Sequence, residues 1–84
     1  MWEAKGKPVD LCFHGEARLL ERGVPEHLAV ETIHKPDTHW TRWVTTPKPT
    51  LRHNAEKTFR NRVLRVVYEE DDVEIILVTA YWRR

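Results

Sequence analysis

Six side chains in this sequence have the types and positions for phosphate chemistry. Lys57, Arg60, Arg62 and Arg83 can bind phosphate oxygens, and Tyr81 and His14 can move a proton. Metal-free cleavage of RNA needs these functions together. A base takes the 2′-hydroxyl proton, an acid supplies the leaving oxygen, and guanidinium groups hold the developing negative charge. The residues that could form such a site cluster in the last third of the chain, with His14 added from a predicted helix. Tyr81 is the candidate for proton transfer or base stacking, His14 is a second candidate acid or base, and Arg60, Arg62, Arg83 and Lys57 are the phosphate contacts. Arginines alternating along a strand also serve as solvated or paired surface residues, and a histidine at a helix start also serves as a packing residue.

Two apolar, β-branched runs must position these groups. Thr58–Tyr68 and Val73–Trp82 flank the acids Glu69, Glu70, Asp71 and Asp72, the pattern of an antiparallel hairpin. A turn symmetric about Glu70 and Asp71 opposes Tyr68 to Val73, Leu64 to Leu77, Arg62 to Thr79 and Arg60 to Tyr81. That register gathers Arg60, Arg62 and Tyr81 at the open end of one face. The other face carries Phe59, Val63, Val67, Ile76, Val78, Ala80 and Trp82, the more continuous apolar surface, and is expected to lie under the helices.

The N-terminal half reads as a short edge strand at Val9–Phe13, a helix at His14–Arg22 and a second helix from Pro25 to His34. Ala17, Leu19 and Leu20 are expected to face inward from the first helix, and Leu28, Ala29, Val30 and Ile33 from the second. Gly23 and Pro36 end them. Thr38–Thr46 reads as a strand with Trp40, Arg42 and Val44 on one face and His39, Thr41 and Trp43 on the other. Pro47-Lys48-Pro49 breaks it, and Leu51–Lys57 reads as a loop or a poor strand. The chain is expected to be one domain over 1–84, α+β, with two N-terminal helices packed on a three- to four-stranded antiparallel sheet.

Composition narrows the function classes. The net charge is +1, yet the stretch 40–65 holds Arg42, Lys48, Arg52, Lys57, Arg60, Arg62 and Arg65 against Glu56 alone. A basic middle between acidic flanks suits an anionic partner such as RNA. Trp40 and Trp43 flank Arg42 and could stack on unpaired bases. Cys12 is the only cysteine, so no intramolecular disulfide forms and a reducing, cytoplasmic setting fits. No apolar run is long enough to cross a membrane. His14, His27, His34, His39 and His53 lack metal-ligand spacing, so no metal is expected. Neither a Gly-rich phosphate loop nor a Ser-His-Asp set is present, and no cofactor is expected.

Two segments resemble a known group. His14-Gly15-Glu16-Ala17-Arg18-Leu19-Leu20-Glu21-Arg22-Gly23-Val24 is similar to the opening of a small family of uncharacterised prokaryotic domains. Leu64-Arg65-Val66-Val67-Tyr68 and Ile75–Tyr81 are similar to that family's closing strands. The family resembles the RelE/ParE/BrnT-like toxin superfamily. The resemblance implies a RelE/ParE-like fold and a toxin-type role within a toxin–antitoxin system. It also implies metal-independent ribonuclease or RNA-binding activity, with an antitoxin-like protein as partner; a core this small also gains from a partner chain, so a homodimer is the other partner expected. The alternative is a non-catalytic protein-interaction module.

Overall fold

A computed structural model of the chain describes residues 1–45 and 48–84. It contains β1 (Trp2–Ala4), β2 (Lys7–Asp10), α1 (Cys12–Glu21), α2 (Glu26–His34), β3 (Thr38–Val44), β4 (Thr50–Phe59), β5 (Arg62–Glu70) and β6 (Ile75–Trp82). All strands join one six-stranded sheet in the order β1-β2-β6-β5-β4-β3. The pairs are antiparallel except β2 with β6, which is parallel. The sheet is therefore mixed and dominates the molecule, which corrects the expectation of two helices on a three- to four-stranded antiparallel sheet.

Three local features produce the extra strands. Lys5 and Gly6 have φ of 58° and 77°, positive at both centres of a two-residue turn, so Trp2–Ala4 folds back on Lys7–Asp10. Arg60 and Asn61 do the same at 50° and 68°, turning β4 into β5. The expected single strand over Thr58–Tyr68 is thus interrupted by a turn. Leu51–Lys57, expected as a loop or poor strand, lies within the ten-residue β4. The expected strand end at Thr46 and the break at Pro47 lie outside the described residues.

The hairpin of β5 and β6 follows a different register from the one its symmetry suggested. Asp71 Oδ1 accepts hydrogen bonds from the backbone N–H of Val73 at 2.7 Å and of Glu74 at 2.8 Å, an Asx-type closure that fixes a four-residue loop. Glu70 consequently pairs with Ile75, Arg65 with Tyr81 and Leu64 with Trp82. A bulge at Val67/Tyr68 leaves Val78 as the extra residue, since Tyr68 pairs with Leu77 and Val67 with Thr79. Without it, Leu77 and Ala80, three positions apart, would point to opposite faces. With it, both are buried.

The covered face is therefore Leu64, Val66, Tyr68, Ile75, Leu77 and Ala80, all at most 1% exposed; of the face expected, Ala80 is covered and Phe59 and Trp82 pack against the core, whereas Val63, Val67 and Ile76 lie on the other side. Against it pack Leu19 of α1 and Ala29, Val30 and Ile33 of α2, with Ala4, Val9, Leu11 and Ala55 completing the core. Burying each of the larger aliphatic side chains stabilises the fold by about 1.5–3 kcal/mol. Helix α2 presents the stripe expected of it. Helix α1 does not, because Ala17 and Leu20 face solvent and the helix approaches β6 through Gly15. A Cβ on Gly15 would meet the Leu77 carbonyl oxygen at 3.3 Å and Leu77 Cδ2 at 3.2 Å, so the missing side chain allows the close approach.

Candidate nucleic-acid interface

One face of the sheet lies under the helices, and the other carries a polar hollow. Strand alternation sends Trp40, Arg42 and Val44 of β3 to this open face, with Arg52 and Asn54 of β4, Arg65 and Val67 of β5 and Tyr81 of β6. Together they line a hollow of about 470 Å³. The β3–β4 register sets Trp40 opposite Asn54 and Arg42 opposite Arg52. Directly opposed like charges destabilise an antiparallel pair. Arg52 is neutralised by Glu69, with Nε to Oε2 at 3.2 Å, whereas Arg42 makes no ion pair or side-chain hydrogen bond among the described residues.

The floor of the hollow is organised by Arg65. Its Nε donates to Glu56 Oε2 at 2.7 Å and its Nη1 to the Tyr81 hydroxyl at 3.0 Å. Its guanidinium carbon lies 5.1 Å from the Trp40 ring centre and 5.8 Å from that of Tyr81. Burial works against the Arg65 charge, but the bonds to Glu56 and Tyr81 outweigh it and raise the pKa above its ordinary value. Arg83 Nη1 reaches Glu56 Oε2 at 3.3 Å. The Thr79 hydroxyl, beside Val67 in register, is buried without a partner among the described residues. The hollow thus combines two aromatic rings, a fixed guanidinium and an uncompensated one, a set that can bind a phosphate and stack a base.

The residues singled out from sequence are divided between several places. Tyr81 and Arg83 belong to the open face. Arg62 is exposed on the helix side of the sheet, its guanidinium 4.3 Å from the Trp82 ring centre. With Arg60, Phe59, Leu28 and Thr58 it lines a separate, more apolar groove of about 510 Å³. Lys57 donates to the Lys35 carbonyl at 2.9 Å, and its Nζ lies 3.9 Å from Glu31 Oε2, so it ties β4 to the end of α2. His14 is exposed on α1 beside Phe13. Arg60 is thus not opposite Tyr81, and the register that would have joined them is replaced by one that brings Arg65 there.

A second polar cluster lies on the helix side of the same strands. His39 Nε2 and His53 Nδ1 are 3.0 Å apart, and the His53 ring stacks on Tyr68 with centroids 4.9 Å apart. Burial and then repulsion from His39 lower the His53 pKa below its ordinary value, against an opposing pull from Glu70. Lys5 Nζ lies 2.8 Å from Glu70 Oε1 and Lys7 Nζ 2.8 Å from Glu70 Oε2. Burial disfavours the Glu70 charge, but these two lysines overcome it and hold its pKa down to about 2. Burial raises the Tyr68 hydroxyl pKa, with Lys5 opposing. The two imidazoles are the nearest approach to a metal-binding pair, and no group of three or more His, Cys, Asp or Glu side chains joins to hold an ion among the described residues.

The chain matches no protein-family model, no curated protein and no solved structure. Among the described residues no helix is long and apolar enough to cross a membrane.

Proposed function

We propose that this chain is an RNA-binding domain of the toxin-like kind its motifs resemble, and that it holds single-stranded RNA on the open face of its sheet. The observation that carries this reading is the opposition of Arg42 and Arg52 beside Trp40, with Arg42 uncompensated among the described residues. A phosphate beside Arg42 supplies the counter-charge that this guanidinium lacks among the described residues, Arg52 being paired with Glu69, and a splayed base finds the rings of Trp40 and Tyr81 next to it. Binding is better supported than cleavage. The Tyr81 hydroxyl accepts from Arg65, which leaves its O–H to donate to a phosphate oxygen, while no histidine among the described residues lines the hollow to take the 2′-hydroxyl proton. A cytoplasmic location accords with this role.

Fluorescence anisotropy with a labelled single-stranded RNA tests it. Arg42→Ala with Arg52→Ala is expected to weaken binding about tenfold or more and to flatten the salt dependence by about 0.7 per lost phosphate contact. Arg60→Ala with Arg62→Ala is expected to leave both unchanged. Loss of binding through the Arg60/Arg62 pair alone, or no binding by the wild type, contradicts the proposal.

A second reading rests on α1. Phe13 and Leu20 are 82% and 86% exposed and stand seven residues apart on the helix, a spacing that sets them on one side. This favours an apolar protein partner of the antitoxin kind. Phe13→Ser with Leu20→Ser is expected to abolish co-purification with the product of a neighbouring small gene. Retention of that product by the variant contradicts this reading.

A further inference from the structure

Among the described residues the strand β3 ends the sheet and pairs only with β4. An unpaired edge is a template for another strand, and proteins normally blunt it with Pro, Lys, a bulge or brevity. The opposite edge, β1, is three residues long. The β3 segment Thr-His-Trp-Thr-Arg-Trp-Val is seven residues long, β-branched or aromatic at six positions if histidine is counted, and contains no Pro or Lys. Trp43 on it is 67% exposed.

We infer that this edge pairs with β3 of a second copy of the chain, antiparallel, about a two-fold axis through Thr41. The segment is self-complementary. In this register Thr38 faces Val44, His39 faces Trp43, Trp40 faces Arg42, and Thr41 faces its own equivalent. Every residue of the strand finds a compatible partner: an aromatic pair covers the exposed Trp43, and Arg42 of each copy approaches Trp40 of the other as a cation over a ring. Neighbouring registers are worse. An axis through Arg42 opposes guanidinium to guanidinium, and an axis through Trp40 leaves Trp43 and Val44 unpaired.

The pairing keeps even-numbered residues on the open face and odd-numbered ones on the helix side, because the two positions in each pair differ by an even number. It therefore joins the two open faces into one surface. The dimer does not depend on the RNA-binding reading, since its test uses no RNA. The contact is a strand edge, below the roughly 1,200 Å² of a standard interface, so a dissociation constant on the order of 10–100 µM is expected.

Sedimentation equilibrium from about 1 µM to about 1 mM tests the proposal. The expected result is a monomer–dimer equilibrium that Thr41→Lys weakens about fivefold or more by placing like charges on the axis. Thr41 is exposed, and circular dichroism verifies that the variant folds. The register is tested by oxidation in a Cys12→Ser background. Equivalent α-carbons on the axis lie about 4.5–5.5 Å apart, within disulfide reach, so Thr41→Cys is expected to give a covalent dimer. His39→Cys sets its equivalents four residues out of register, roughly 13 Å apart, and is expected to stay uncrosslinked. A monomer at every concentration overturns the inference, as does a dimer indifferent to Thr41→Lys or crosslinked equally well through His39→Cys.

Discussion

At the scale of single residues, the two faces of β3 and β4 carry different electrostatics. The open face sets Arg42 against Arg52, while the helix side sets His39 against His53 and ties Glu70 to two lysines. The second cluster makes stability depend on pH. The His53 pKa is lower in the folded than in the unfolded chain, so the unfolded state takes up more protons as pH falls. The stability His53 contributes is complete above its ordinary value of about 6.5 and is lost as pH falls through the folded value. Glu70 adds a second window: its contribution is present above 4.5 and lost as pH falls toward about 2. Urea midpoints are therefore expected to drop between about pH 7 and pH 5, less steeply in His53→Gln than in the wild type. Equal slopes in the two proteins contradict this account of His53. Arg42 and Trp40 were legible in the sequence as a basic and aromatic pair on one strand face. Arg52 and Arg65 were not singled out, because their roles depend on register across strands, which no local pattern specifies.

Turn chemistry decided most of what differs between expectation and structure at the scale of elements. Helix α2 was legible from its apolar stripe between Pro25 and Pro36. The strand β4 was not, because a segment that runs Leu-Arg-His-Asn-Ala-Glu-Lys has weak β character and gains its place by pairing on both sides. The turn at Arg60 and Asn61 was also hidden, since two positive φ values usually advertise themselves as Asn-Gly. It follows that Arg60→Asn with Asn61→Gly, the sequence this turn prefers, should stabilise the fold by roughly 0.5–1 kcal/mol, read as a higher urea midpoint at unchanged slope. Were Arg60 instead within a continuous strand, the same substitutions would destabilise it. The bulge at Val67/Tyr68 brought Ile75 and Leu77 to the covered side, where Ala80 lies as expected. Simple alternation through Leu77, Thr79 and Tyr81 puts all three on one side, whereas the extra residue buries Leu77 and turns Tyr81 to the open face.

At the scale of the whole molecule, the helices cover one side of the sheet and leave the other as a basic, aromatic surface that ends at an edge with no further strand among the described residues. The early expectation of one site at the end of a hairpin does not survive this arrangement: Arg60 and Arg62 line a groove on the helix side, while Tyr81 and Arg83 lie on the open face. That open face is the RNA site we propose. The most direct measurement is a titration of isotopically labelled protein with single-stranded RNA, followed by amide and side-chain NMR shifts residue by residue. The account predicts shifts concentrated at Trp40, Arg42, Arg52, Asn54, Arg65 and Tyr81. Shifts centred on Phe59, Arg60, Arg62 and Trp82, or none at saturating RNA, would contradict it.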